Sequence, residues 1–249
     1  MDNRMRIVIV GATSAIAQHC ARLWLERYPV DLTLVGRDTE RLEQTANDLR
    51  VRSQHAIQTV QGDFLAPDAI ARLVEEIAAN GKMDLVLIAH GALPDQPQCQ
   101  TQLGDCQRAL DINGISPVLF AEAFAAHMEQ ADHGTLAVIS SVAGDRGRKS
   151  NYIYGAAKGL VTRYVQGLQH RFAGTRVRVV LVKPGPTDTP MTAGFKAGGA
   201  RLAPVEDVAR QIVDDIHAGK QLIYVPRKWF FIMLVVRHLP AFIFNRTNL

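Results

Sequence analysis

A parallel β-sheet wound on both faces by helices, an α/β architecture in one piece, is the fold this sequence predicts, and three observations carry the prediction. Short β-branched runs recur along the whole chain, longer stretches of helical period separate them, and no linker, repeat or low-complexity tract interrupts the alternation. Strand and helix in strict turn imply parallel strands joined by right-handed crossovers, which place helices on both sides of the sheet. With 249 residues, 47% hydrophobic and 21% charged, the chain can bury a core of that size.

The first strand is expected at residues 7–10. Arg4 and Arg6 before it and Ala15-Ile16-Ala17 after it imitate an export signal. Its apolar run is far shorter than the roughly 7 to 15 residues such a signal needs, so a buried strand is the better reading. A helix follows at 15–28, with Ile16, His19, Cys20, Leu23 and Trp24 spaced for one face. Further strands are expected at 32–35, 56–60, 85–89, 136–140, 177–182 and 222–225. Pro204 opens another helix, in which Val205, Val208, Ile212 and Ile216 share a face. The doubly wound, Rossmann-type catalytic domain is expected to occupy 1–226. Residues 227–249 form an apolar C-terminal segment, interrupted by Arg237-His238-Leu239-Pro240 and too short for the ~20 residues of a membrane span. It either packs on the core or a subunit contact, or lies at a membrane surface.

A formal charge of +4, spread along the chain, gives no nucleic-acid footprint. Three cysteines, an odd number without metal-ligand spacing, suit ordinary thiols in a reducing cytoplasm, and no metal is expected.

Ligands of doubly wound sheets bind at the carboxyl ends of the strands. There the first strand runs into Gly11-Ala12-Thr13-Ser14-Ala15-Ile16, a turn whose backbone N–H groups and following helix can receive a pyrophosphate. One glycine of the usual three is a weak signal alone. The second strand ends at Gly36-Arg37, with no carboxylate for a ribose 2'-hydroxyl and a cation for a 2'-phosphate, so NADP(H) is favoured over NAD(H). Alternatively Arg37 pairs with Asp38 in a solvated loop. Asp63 after the third strand could accept from an adenine amino group or simply solvate its loop. Ala89-His90-Gly91 follows the fourth strand, small enough to pass beneath a cofactor, with His90 more at home as a pocket wall than as a base.

Tyr154 and Lys158 stand four apart on a helix, where an ammonium can favour the phenolate of a proton-transferring tyrosine. Tyr224 and Lys228 repeat the spacing, but Pro226 between them and the strand-like run before them break the helix. A substitution of Tyr224 by phenylalanine is therefore expected to be nearly silent in turnover.

Taken in order, Gly11, Asp63, Asn113, Ser141, Tyr154, Lys158 and the run from Pro184-Gly185 through Thr187 to Thr189 resemble the classical short-chain dehydrogenase/reductase family over nearly the whole chain. The resemblance implies that Ser141 orients the substrate oxygen, Tyr154 is the acid and base, Lys158 binds the nicotinamide ribose and Asn113 holds a proton-relay water. Thr187 and Thr189 would seat the nicotinamide half. Ala17 and the 89–91 stretch depart from the family pattern. Residues 143–154 and 237–240 are further similar to reductases of a 2-keto sugar on polyprenyl phosphate, which implies a lipid-linked substrate whose phosphodiester Arg146, Arg148 and Lys149 would bind. Those residues read equally well as a solvated basic loop. The glycine-rich stretch from Thr189 to Gly199 is expected to close over substrate. Three functions thus compete: the lipid-linked keto-sugar reductase, a soluble reductase of another ketone or ketoacyl substrate, and a non-catalytic NADP(H) sensor. A cytoplasmic homo-oligomer, with peripheral contact to the inner membrane face through the C-terminal segment, is the expected setting.

Overall fold

All seven expected strands form in the computed structural model, which describes residues 4–198 and 201–247; Gly199, at the end of the expected closing stretch, lies outside them. The strands are β1 (Met5–Val10), β2 (Val30–Gly36), β3 (Ile57–Gln61), β4 (Leu85–Ile88), β5 (Gly134–Ile139), β6 (Val177–Pro184) and β7 (Leu222–Val225). They make one sheet in the order β3-β2-β1-β4-β5-β6-β7, and every neighbouring pair is parallel. The order reverses between β1 and β4, which opens a crevice at their carboxyl ends.

Period-two alternation sorts each strand's side chains between two cores. Ile7 and Ile9 of β1 face a cluster with Trp24 and Leu25 of α1 (Ala15–Arg27), Leu42 and Leu49 of α2 (Thr39–Arg52) and Ile212 of α9 (Val205–His217). Val8 and Val10 face the opposite cluster, with Ile70 and Val74 of α3 (Pro67–Ala79), Phe120 and Phe124 of α6 (Ser116–Ala131) and Val161 and Val165 of α7 (Tyr152–Arg171). Ala17, one of the departures from the family pattern, is fully buried in the first cluster, where its methyl packs helix against sheet.

Short helices α4 (Gln96–Thr101) and α5 (Leu103–Leu110) lead into a π-helical turn, Asp111–Ile115, and then α6. The run Leu103–Ala131 is long and apolar enough to cross a membrane, but Phe120, Phe124 and Met128 are sealed in the core, as in a buried helix of a globular fold. After β6 come α8 (Ala193–Ala197) and α9, whose Pro204 stands at the N-cap as expected from sequence. The C-terminal segment folds into α10 (Lys228–His238) and α11 (Ala241–Phe244).

Strand ends are where expectation and structure differ. β1 starts two residues earlier than expected because Met5 and Arg6 pair with Val30 and Asp31, while the Arg6 guanidinium reaches carbonyls of Ile77 and Gly81. A polar side chain that finds partners beside the sheet leaves no apolar signal for its strand.

Candidate active site

At the end of β1 the chain turns at Gly11, whose φ of +81° suits glycine. A Cβ there would lie 2.6 Å from the backbone nitrogen of His90, so the position also lets the β4 end approach β1. Ser14 caps α1 without a side-chain hydrogen bond, and no acidic residue stands in the first turn. The helix amino end thus keeps N–H groups available to an anion. Gly11, Thr13, Ser14, Ala15 and Ile16 line a cavity whose far wall carries Arg37, Arg41 and Phe64.

Asp38 does not pair with Arg37; its carboxylate accepts from the Arg41 backbone N–H at 3.1 Å and caps α2. Arg37 lies 6.0 Å over the Phe64 ring, and among the described residues neither Arg37 nor Arg41 makes a salt bridge. Among the described residues no carboxylate lines this cavity. Two uncompensated cations beside a helix amino end fit the phosphates of NADP(H), including one on the 2'-position. Arg41 escaped the sequence reading, although the Asp38 cap places it in the first turn of α2, on the way back toward Arg37. Asp63, by contrast, is exposed, accepts from the Leu65 N–H at 2.8 Å and lines neither this cavity nor the next.

His90 lies edge-on to the Phe64 and Phe120 rings, with its Nε2 2.9 Å from the Ser116 hydroxyl. Burial, with Lys158 and Arg37 nearby, pushes its pKa down to about 3, so the imidazole is neutral and serves as a wall. Asn113, 1% exposed in the π-helical turn, ties two segments together: its Nδ2 donates to the Ala109 carbonyl and its Oδ1 accepts from the Ala92 N–H, both at 2.9 Å. A Cβ on Gly91 would lie 2.9 Å from that Oδ1 and 3.6 Å from Lys158 Nζ. The missing methyl leaves Asn113 and Lys158 facing one gap below Ala89 and Gly91.

Ser141, Tyr154 and Lys158 converge on a second cavity, lined also by Ala89, Gly91, Pro184, Gly185, Thr187 and Thr189. Ser141 follows β5, and its hydroxyl accepts from the Ala143 N–H at 3.1 Å. Gly155 and Gly144 let α7 press against the 3-10 turn after β5, where a Cβ on Gly144 would meet the Lys158 backbone at 2.6 Å. That close approach sets Tyr154 opposite Ser141. Burial pushes the Tyr154 phenol up to about 12, against a smaller opposing pull from the Ser141 hydroxyl. Lys158 is 3% exposed and donates to the Ile139 carbonyl at 3.1 Å; burial brings its pKa down to about 8. The site therefore holds a protonated phenol beside an ammonium at neutral pH, an arrangement suited to giving a proton to an oxygen that gains charge. Thr187 donates to the Gly185 carbonyl at 3.0 Å, and Thr189 and Thr192 form a reciprocal cap that closes the turn after β6.

Structure divides the basic loop. Arg146 donates to the carbonyls of Val236 and Leu239, both at 2.6 Å, and stacks 3.8 Å above the Phe244 ring, so it is committed to the C-terminal segment. Arg148 lines the catalytic cavity; among the described residues its Nη2 touches the Met233 sulfur at 3.7 Å and its Nε has no hydrogen-bond partner, while the Asp145 carboxylate lies near enough to favour its charge. Asn151, also on the cavity, leaves its Oδ1 unpartnered. Lys149 is exposed and does not line the cavity. Gly185 owes its lack of side chain to the C-terminal segment, since a Cβ would lie 2.0 Å from the Trp229 indole nitrogen. The second tyrosine-lysine pair is divided between β7 and α10: Tyr224 is buried and donates to Asp145 Oδ2 at 2.6 Å, and the same carboxylate pairs with buried Lys183. Tyr224 is thus structural, so removal of its hydroxyl bears on folding stability, while the expectation of a nearly silent effect on turnover stands as a prediction.

Comparison with known proteins follows the same geometry. Residues 5–199 match the family model described as short chain dehydrogenase. An uncharacterized oxidoreductase of Streptomyces coelicolor is 32% identical over 241 residues, covering 96% of this chain and 94% of that protein. One from Mycobacterium tuberculosis is 30% identical over 245 residues, covering 96% of each. Among solved structures, a Burkholderia cenocepacia short chain dehydrogenase in complex with NADP superposes with a TM-score of 0.82 at 18% identity, covering 97% of this chain and 96% of that one. Actinorhodin polyketide ketoreductase with NADPH gives 0.81 at 19% identity, covering 90% and 97%. At such identities the superpositions speak to the fold.

Proposed function

The chain belongs to the short-chain dehydrogenase family, and from that premise we propose that it is a reductase that converts a carbonyl to a secondary alcohol with NADPH. The observation that carries the reading is the meeting of Ser141, Tyr154 and Lys158 on a cavity continuous with the one that holds Arg37 and Arg41. NADPH, bound along the Gly11 turn, supplies the hydride. Ser141 holds the substrate oxygen, and the Tyr154 phenol, protonated at neutral pH, gives its proton to that oxygen as charge develops. Lys158 keeps a positive charge on the same cavity and would hold the nicotinamide ribose of the bound cofactor, and Asn113 borders the gap through which a proton would be returned. A full set of these groups argues against a sensor without turnover.

NADPH is favoured over NADH because the cavity by Arg37 and Arg41 offers cations and no carboxylate. For the substrate we favour an anionic carbonyl compound, and among these a 2-keto sugar on polyprenyl phosphate. Arg148 supports this reading: among the described residues it is a cavity-lining cation with no salt bridge, and no acidic side chain lines the cavity. In this reading residues 1–226 are the catalytic body, 227–249 an appended segment, and the cytoplasm the working compartment. The test is turnover of a defined polyprenyl-phosphate keto-sugar beside a panel of soluble ketones, with NADPH or NADH at equal concentration. Reduction of the lipid-linked sugar with NADPH is expected. Preference for NADH overturns the cofactor assignment, and turnover of soluble ketones alone overturns the substrate.

A further inference from the structure

Helix α10 is apolar without a break from Trp229 to Val236, yet it buries one face. Trp229, Met233 and Val236, at helical spacing, pack on Val142 and Tyr224, while Phe231, Leu234 and Val235 point outward with Phe231 68% and Val235 61% exposed. Phe242, 67% exposed, and Ile243 add exposed apolar side chains on α11. This is no frayed tail, because the Arg146 guanidinium fastens the corner between the two helices through the Val236 and Leu239 carbonyls and the Phe244 ring. Exposed apolar side chains gathered on a fixed scaffold mark a binding surface.

Charge identifies the occupant. Residues 227–249 contain Arg227, Lys228, Arg237, His238 and Arg246 and no aspartate or glutamate. All five are exposed. Arg227 shares Asp215 with Lys220, whereas Lys228, Arg237 and Arg246 have no acidic partner among the described residues. Two copies joined through this face would set cations against cations around their apolar contact. A lipid surface with anionic headgroups instead offers hydrocarbon to the phenylalanines and negative charge to the rim.

We propose that α10 and α11 form a docking surface for an anionic membrane, with Phe231, Val235 and Phe242 entering the headgroup boundary and Lys228, Arg237 and Arg246 at the phosphates. The buried face of α10 packs behind two wall residues of the catalytic cavity, Met233 against Arg148 and Trp229 against Gly185, so docking would bring the lipid to the outer side of that wall. This goes beyond the proposed reaction and does not depend on it, since vesicle binding needs no turnover.

Flotation of the full chain with vesicles of phosphatidylcholine containing about 30 mol% phosphatidylglycerol, compared with phosphatidylcholine alone, tests it. Cofloating with the anionic vesicles is expected, weakened at least about fivefold without the anionic lipid or at high salt. The double variant Phe231→Ser, Phe242→Ser should lose about tenfold of the binding. Its thermal unfolding should be unchanged, because both side chains are exposed. Absence of binding to anionic vesicles, or equal binding by the variant, overturns the proposal. So does a wild-type oligomer that this variant dissociates, measured by light scattering, because the face then belongs to a second copy.

Discussion

Tyr154 and Tyr224 both stand four residues before a lysine, but their hydroxyls meet different neighbours and should respond differently to removal. Tyr154→Phe deletes the proton donor and keeps the ring; turnover should fall at least about a hundredfold with NADPH binding retained. Tyr224→Phe deletes a donor to the buried Asp145 carboxylate. It should lower folding stability by about 1.5 to 3 kcal/mol in denaturant titration while turnover of folded protein stays within a few fold. Near-normal turnover of the first, or a silent second, contradicts these roles. The sequence distinguished the two tyrosines through helix and strand context, but Asp145 lies 79 residues from Tyr224, and no local pattern reveals such a partner. Lys158 supplies a pH test. Burial lowers it from 10.5 to about 8, so between those values the unfolded chain holds a proton that the folded chain has lost. Stability of the cofactor-free protein should therefore rise with pH across that window, the burial penalty being fully present below it. Lys158→Met should flatten the rise in a series of melting temperatures; the same slope in both proteins refutes the assignment.

The turn from β2 into α2 shows what an element adds to its residues. Gly36-Arg37 was readable as a phosphate site, and the rival reading, Arg37 paired with Asp38, fails because helix capping claims the carboxylate. The same cap positions Arg41 on the cavity, a consequence visible only once the helix start is fixed. Arg37→Ala should weaken NADPH by about ten- to a hundredfold relative to NADH, the range of a charged hydrogen bond, and Arg41→Ala should act in the same direction. Fluorescence titration with both cofactors measures this, and equal losses would place the arginines off the phosphate. Repeating strands and helices were legible because burial on both sheet faces writes continuous apolar runs. Their ends were less so: Lys183 and Pro184 extend β6 by pairing with Tyr224 and Val225, a requirement imposed by a strand some forty residues later.

Over the whole molecule, the sheet order brings two cavities into contact, and Ser14, Ile16, His90, Gly91, Thr189 and Met191 line both. The catalytic cavity is walled by elements that meet only in the folded chain, the 3-10 turn after β5 and the start of α7, and α10 packs behind its wall residues Arg148 and Gly185. That convergence gives Arg146 and Arg148, adjacent in purpose when read from sequence, separate tasks: Arg146 clasps the C-terminal corner, and Arg148 faces the cavity. Replacing each by glutamine separates them. Arg148→Gln removes the cavity cation; it should raise KM for an anionic carbonyl substrate about tenfold or more, leaving a small neutral ketone nearly unaffected. Arg146→Gln leaves the carbonyls of Val236 and Leu239 short of a donor and the Phe244 ring without its cation; it should lower the melting temperature and affect both substrates alike. Paired kinetics on an anionic and a neutral ketone, with thermal unfolding of each variant, give the answer. If Arg148→Gln affects both substrates equally, the cavity cation holds the fold and the case for an anionic substrate falls. If Arg146→Gln alone discriminates between them, the charge that reads the substrate sits at the C-terminal corner.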